Sequence, residues 1–141
     1  MKPGVSELED PMLELLKRAR TIAVVGLSDN ASRPSYGVSS YLQSRGYQVV
    51  PVNPRLSEVL GERAYPSLSE AAKEKQIDIV DVFRNSDAVP VIVDEVLALG
   101  IPALWLQEGV VHAEAAEKAR KAGVVVVMDK CILKEHRRYG L

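Results

Sequence analysis

Cysteine and histidine are scarce in this sequence. Among its 141 residues there is one cysteine, Cys131, and there are two histidines, His112 and His136. A single cysteine excludes an intrachain disulfide and a cluster of thiolate metal ligands. The two histidines are too few and too far apart in the sequence for the ligand spacing of a typical zinc site. The sequence therefore predicts no bound metal ion.

A charge imbalance and a long hydrophobic run are also missing. The net charge is -1, which gives no overall attraction to nucleic acid or to an anionic membrane. No apolar run approaches the roughly 20 residues of a membrane span, and residues 1–4 begin no signal peptide. We therefore expect a cytoplasmic protein without nucleic-acid or membrane partners. A hydrophobic fraction of 47% in a chain of this length predicts one domain, residues 1–141, on which residues 1–20 pack as an N-terminal helix.

Segments rich in Val and Ile alternate with segments of helical spacing. Asp10 before Pro11 is typical of a helix start, and Gly46 of a helix end. The apolar segments are continuous, as expected where helices cover both faces of a parallel sheet. This pattern predicts a Rossmann-like α/β fold, three-layered and doubly wound, with a mainly parallel sheet of five to six strands. The predicted strands are residues 21–26, 47–52, 78–83, 102–106 and 124–128, and residues 63–65 are a candidate edge strand.

The segments that follow the strands are the candidate binding region, because ligands of such sheets bind beyond the carboxyl ends of the strands. Gly26 ends the first strand, where a missing side chain would let a ligand approach. Ser35 and Tyr36 open the next helix, whose free amides favour an anion, and Arg33 adds a positive charge. The alternative is an ordinary polar loop.

The other strand ends are also polar, small or basic. The second strand ends in Asn53-Pro54-Arg55 rather than in the acid that binds the ribose diol of a dinucleotide. This sequence suits a ribose that carries its own phosphate, although it could equally be a simple turn. Phe83 ends the third predicted strand and Arg84 follows it, and Gln107-Glu108-Gly109 follows the fourth.

Three further groups are assigned structural roles. His112 is expected to cap a helix or to lie on the surface rather than to be phosphorylated. Asp78 and Asp81 are interpreted as strand-boundary residues rather than as acid–base catalysts. We find no nucleophile elbow and no other catalytic constellation, so the sequence predicts no catalysis by the isolated chain.

Taken together, these segments resemble the coenzyme A-binding domain family, which is related to the amino-terminal domain of the succinyl-CoA synthetase α subunit. The match is to the small stand-alone branch of this family. The resemblance implies that coenzyme A, free or acylated, lies across the carboxyl edge of the sheet, in a binding protein that is non-catalytic or regulatory. The segments that carry it are residues 24–29, 46–54, 77–84, 105–109 and 128–131.

The resemblance also implies which residues hold each part of the cofactor. The diphosphate would contact Gly26, Ser28, Asp29, Asn30, Arg33, Ser35 and Tyr36. Adenine and its phosphorylated ribose would lie beside Val52, Asn53 and Pro54, and the pantetheine arm beside Phe83, Arg84, Gln107 and Gly109. Cys131 is a candidate partner for the cofactor thiol, although a cysteine after a buried strand is more often an inert packing residue.

Two other functions stay open. The chain could be a small NAD(P)-binding oxidoreductase, which the missing acid after the second strand disfavours. It could also be one subunit of a split acyl-CoA ligase. A homo-oligomer or an unidentified protein partner is possible in each case.

Overall fold

The computed structural model describes residues 10–141, and residues 1–9 of the predicted N-terminal segment lie outside the described residues. Six α-helices and seven strands are present in this part of the chain, and a 3₁₀ turn at Ser86–Ala88 precedes the fourth helix. The helices are α1 (Pro11–Arg18), α2 (Pro34–Ser44), α3 (Leu68–Glu74), α4 (Val89–Leu99), α5 (Ala113–Lys121) and α6 (Ile132–Tyr139). The strands are β1 (Thr21–Val25), β2 (Gln48–Val52), β3 (Glu58–Val59), β4 (Glu62–Arg63), β5 (Ile79–Val82), β6 (Ala103–Leu106) and β7 (Val125–Val127).

Five strands form one parallel sheet in the order β2-β1-β5-β6-β7. The chain thus winds outward from β1 to β2, returns to β5 on the other side of β1, and continues to β7. The switch in direction lies between β1 and β5, which is where such sheets bind ligands. The predicted α/β class and parallel sheet are confirmed. In the predicted edge segment 63–65, Arg63 pairs within the β3–β4 hairpin and Tyr65 adds one parallel bridge to Val52.

The helix ends are formed by the residue types expected there. The Asp10 side chain accepts a hydrogen bond of 3.1 Å from the Leu13 amide, with Pro11 at the first helical position. The Ser67 hydroxyl caps α3 in the same way, through the Glu70 amide. Gly46 adopts a φ of +93° after α2, a value that glycine tolerates at a helix end. Each cap satisfies a backbone group that the helix itself leaves free.

Two hydrophobic clusters cover the two faces of the sheet. Ala23 and Val25 of β1 point into the cluster formed with α3, α4 and α5. Ile22 and Val24 point into the cluster formed with α1, α2 and α6, which also contains Trp105. Side chains alternate between faces along a strand, so a strand buried on both faces must be apolar throughout. None of the helices between residues 10 and 141 is both long and apolar enough to cross a membrane.

Asp81 departs from this apolar rule. Asp78 does lie at a strand boundary, where its carboxylate accepts hydrogen bonds of 2.9 Å from the amides of Arg20 and Thr21. The same interpretation is wrong for Asp81, which lies inside β5 opposite Val24 and Trp105. Its side chain is 0% exposed and neither oxygen has a hydrogen-bond partner among the described residues. Burial raises the pKa of the Asp81 carboxyl well above its usual value of 3.8.

Candidate functional site

A cleft of about 960 Å³ runs along the carboxyl edge of the sheet. This volume is in the range typical of small-molecule sites. Segments that follow all five parallel strands contribute to its walls, together with the first turn of α2. The lining residues are Gly26, Ser28, Arg33, Pro34, Ser35, Val38, Val52, Asn53, Pro54, Arg55, Phe83, Arg84, Asn85, Gln107, Glu108, Val110 and Cys131.

Gly26 marks the point where β1 and β5 meet the cleft. Its φ is +89°, and an added Cβ would lie within 3.0 Å of the Phe83 carbonyl oxygen. The space that the missing side chain leaves is therefore filled by the neighbouring backbone. Gly26 still lines the cleft, but the expectation that its missing side chain makes room for a ligand is wrong.

The loop after β1 is held by its own serines and asparagine. The Ser28 amide donates to Ser35 Oγ at 3.0 Å, and the Asn30 amide donates to Ser28 Oγ at 3.0 Å. The Asn30 side chain in turn accepts from the amide and hydroxyl of Ser32. Of the loop residues predicted to contact a diphosphate, Ser28, Ser35 and Arg33 line the cleft, whereas Asp29, Asn30 and Tyr36 do not. Tyr36 packs instead against the cluster beneath α2.

The segment after β2 forms one end of the cleft. This end is lined by Val52, Asn53 and Pro54, the three residues predicted to lie beside adenine and its ribose. The Asn53 side chain also has a structural role, because its Nδ2 donates to the Leu27 carbonyl at 3.0 Å and its Oδ1 accepts from the Arg55 amide at 2.9 Å. Asn53 therefore fixes the β1 and β2 loops to each other at the edge of the cleft.

Three arginines line the same part of the cleft. Arg33, Arg55 and Arg84 follow β1, β2 and β5 respectively, and their side chains are exposed. None of them forms an ion pair with an acidic residue in the described range 10–141. The acidic lining residue Glu108 is paired with Lys134 at 3.1 Å, and this contact raises the pKa of the lysine. The arginine side of the cleft thus has uncompensated positive charge.

The opposite end of the cleft is neutral and more enclosed. Gln107 is 5% exposed, and its Oε1 accepts a hydrogen bond of 3.1 Å from the Ile132 amide at the start of α6. Cys131, at 8% exposure, lies beside it. Gly109 was predicted to border the ligand but lies outside the lining, because its φ of +84° turns the chain and its amide donates to Asp129 Oδ1 at 2.7 Å.

The remaining titratable groups have structural roles. His112 Nδ1 accepts a hydrogen bond of 3.1 Å from the Ala115 amide, so the predicted capping role is confirmed. His136 is buried, and its Nδ1 lies 2.8 Å from the Tyr41 hydroxyl. Between residues 10 and 141, no three His, Cys, Asp or Glu side chains are grouped so that they could hold a metal ion.

Sequence reasoning missed part of the lining. Arg55 and Asn85 belong to the segments after β2 and β5 that the sequence singled out, but neither was assigned a ligand contact of its own. Val38 lies one helical turn after Pro34 and could have been found from the α2 periodicity. Val110 has no local signal, because its position depends on how the loop after β6 turns at Gly109.

Comparison with known proteins places these features in a family. The CoA binding domain family model matches residues 20–137. The Bacillus subtilis protein YneT is 44% identical over 123 residues, which cover 87% of this chain and 90% of that protein. A structure of a hypothetical protein from Pyrococcus horikoshii has a TM-score of 0.85 and 35% sequence identity, covering 90% of this chain and 88% of that chain.

A longer enzyme also contains a similar segment. An ADP-forming acetate–CoA ligase of Archaeoglobus fulgidus is 29% identical over 119 residues, which make up 82% of this chain and 14% of that ligase. The resemblance drawn from the sequence is therefore confirmed, and the chain belongs to the CoA binding domain family.

Proposed function

We propose that this chain binds coenzyme A, free or acylated, in the cleft at the carboxyl edge of its sheet. The observation that carries the proposal is the group of three cleft arginines in a chain of this family: Arg33 and Arg84 follow the two strands that flank the switch point, and Arg55 follows the neighbouring strand β2. The alternative oxidoreductase function is disfavoured for NAD, because the second strand ends in Asn53 rather than in an acid for a free ribose diol.

The charge of the cleft suits the phosphates of the cofactor. Coenzyme A carries a diphosphate and a separate phosphate on its ribose, and guanidinium groups bind phosphate through paired, charge-assisted hydrogen bonds. The start of α2 adds to this attraction: Pro34 is the first helical residue, and the Arg33 side chain makes no capping hydrogen bond. Pro34 has no amide hydrogen and the Tyr36 amide donates to the Arg33 carbonyl at 3.1 Å, so the Ser35 amide is the donor of that turn that is suited to a phosphate oxygen.

Coenzyme A is expected to raise the melting temperature more than NAD, NADP or ATP does at the same concentration. At one hundred times its dissociation constant, a ligand of the native state adds about 2.7 kcal/mol. For a domain of this size, that corresponds to roughly 5–15 °C. Thermal denaturation with each ligand in turn measures the four melting-temperature shifts and ranks them. A larger shift with NAD would contradict the proposal and favour a dinucleotide site.

Removing a cleft arginine is expected to weaken binding without weakening the fold. Arg84→Ala and Arg55→Ala should each raise the dissociation constant for coenzyme A about tenfold, the equivalent of about 1.4 kcal/mol. The free energy of unfolding of the empty protein should change by less than about 0.5 kcal/mol, because both side chains are exposed. Titration calorimetry and urea denaturation measure the two quantities.

Arg137→Ala is the matched control for these substitutions. Arg137 is an exposed arginine of α6 that does not line the cleft. Its removal lowers the net charge by the same amount, so it should leave the affinity within about twofold, since exposed charges are screened over about 10 Å. If all three variants lost the same affinity for coenzyme A, the overall charge of the protein, rather than the cleft, would be what attracts the cofactor.

The proposal includes binding but no chemical step by this chain. A second candidate, a subunit of a split acyl-CoA ligase, is favoured by the similarity to 14% of the Archaeoglobus fulgidus enzyme. The two candidates differ in what the chain needs for turnover. A ligase subunit would form acyl-CoA only when a second chain supplies the remaining catalytic parts, whereas a pure binding protein would not support it with any partner.

A further inference from the structure

The cleft has different chemistry at its two ends. The sheet order β2-β1-β5-β6-β7 places Arg55, Arg33 and Arg84 after the first three strands of this series, and Gln107 and Cys131 after the last two. Adjacent strands lie about 4.8 Å apart, so four intervals separate the ends of β2 and β7 by roughly 19 Å. An extended ligand with phosphates at one end would therefore bind with its other end toward Cys131.

Cys131 borders the cleft at this neutral end. It immediately precedes α6, where it packs among the apolar residues beneath α2 and keeps 8% of its surface exposed. It is also one of the residues that line the cleft, so a molecule that fills this end would lie against it. Since the chain contains one cysteine, any disulfide that the protein forms must involve this residue.

Gln107 provides an independent indication that a ligand extends this far. The Ile132 amide donates to the side chain of Gln107 at 3.1 Å, and only the amide oxygen can accept that bond. The NH₂ group is therefore turned the other way, and it donates no hydrogen bond to any residue between 10 and 141. Gln107 is 5% exposed and lines the cleft. Among the described residues, the Gln107 nitrogen is not one of the fully buried side-chain atoms that lack a partner, so it reaches the open cleft, where a carbonyl of a bound ligand can accept its hydrogen bond.

We infer that Cys131 forms a reversible mixed disulfide with the sulfur of coenzyme A bound in this cleft, and that the reactive ligand is a coenzyme A disulfide. The inference rests on the proposed function. The arginines hold the phosphates, Gln107 donates to a carbonyl of the pantetheine arm, and the sulfur at the end of that arm lies beside Cys131. The site then takes up oxidised coenzyme A covalently.

The step is a thiol–disulfide exchange. The Cys131 thiol loses its proton, and its sulfur attacks one sulfur of the coenzyme A disulfide. A new bond forms between Cys131 Sγ and that sulfur, while the bond between the two coenzyme A sulfurs breaks. The second coenzyme A leaves as a thiolate and takes up the proton. Cys131 is oxidised, the departing sulfur is reduced, and a free thiol reverses the reaction.

The test compares two disulfides on the intact protein. Reduced protein is mixed without oxygen with coenzyme A disulfide or with cystamine, which has a similar disulfide but no nucleotide, and intact mass is followed under non-reducing conditions. We expect one coenzyme A adduct per chain, formed at least about tenfold faster than the cystamine adduct, because binding orients the reacting sulfurs. The rate should saturate with concentration, and adenosine 3′,5′-bisphosphate should slow it.

Three outcomes separate the inference from the proposed function. If calorimetry detects coenzyme A binding but no adduct forms, the inference is wrong and the proposed function stands. If the two disulfides react equally fast, the cleft does not guide the reaction, and the inference is again wrong. If coenzyme A does not bind at all, the proposed function itself fails. Cys131→Ser controls for a non-covalent complex: its mass should not change, and reduction should remove the adduct from the natural protein.

Discussion

Replacing Gly26 with alanine is expected to destabilise the fold by at least about 3 kcal/mol, which is exceptional for adding one methyl group. The new Cβ would lie within 3.0 Å of the Phe83 carbonyl oxygen. Phe83 cannot easily move away, because its own amide donates to the Val25 carbonyl at 2.9 Å. The φ of +89° adds roughly 1–2 kcal/mol of backbone strain for any residue with a Cβ. Urea denaturation measures the loss.

Gly109→Ala is the matched control. Gly109 also lies in a loop at the carboxyl edge and has a nearly equal φ of +84°, but nothing lies within 4 Å of its added Cβ. The Gly109→Ala variant should lose only the backbone contribution to its free energy of unfolding, which is about 1–2 kcal/mol. The difference between the two variants measures the close approach of β1 and β5. Equal losses would show that the backbone conformation alone requires glycine at position 26.

Asp81→Asn is expected to make the protein more stable at neutral pH, although it changes a fully buried side chain. Burial raises the pKa of Asp81 in the folded state, whereas the unfolded chain has the usual value of 3.8. The folded state therefore holds a proton that the unfolded state has lost. This contribution to stability is fully present below pH 3.8 and is lost as the pH rises toward the folded-state pKa, at up to about 1.4 kcal/mol per pH unit.

The asparagine cannot ionise, so its advantage over aspartate should grow across this window and then level off above the folded-state pKa. At pH 7 we expect a gain on the order of 2 kcal/mol, because each pH unit between 3.8 and the folded-state pKa adds up to about 1.4 kcal/mol to the cost of ionising Asp81. Urea denaturation of both proteins at several pH values measures the difference. Asp94→Asn, an exposed residue paired with Lys118, should change stability by less than about 1 kcal/mol. A difference for Asp81→Asn that stays constant with pH would contradict the argument.

The sequence was sufficient for the fold because its signals are local. The apolar runs identify β1, β5 and β6, and residues such as Asp10 and Ser67 identify helix starts. The candidate site follows from the same pattern, since parallel strands all end at one edge. Most of the predicted ligand contacts line the cleft for that reason.

The errors arise where a residue's role depends on a distant partner. Asp78 and Asp81 look alike in the sequence, but the register of β5 places Asp81 between Val24 and Trp105. The reason for glycine at position 26 lies in the backbone of Phe83, 57 residues further along the chain. The Asn53 amide is likewise used by the Leu27 carbonyl from another loop. No pattern of neighbouring residues contains this information.

The loops on the β6 side of the cleft are joined to one another by side chains. Ser86 Oγ accepts from the Val111 amide at 2.9 Å, Asp129 accepts from the Gly109 amide, and Gln107 holds the start of α6. The Ser28–Ser32 segment is tied mainly to itself and to Ser35. The β6 side is therefore preorganised, and most of the conformational entropy lost on binding is expected on the arginine side. Tightening the loop after β1 would slow ligand dissociation, without any new contact to the ligand.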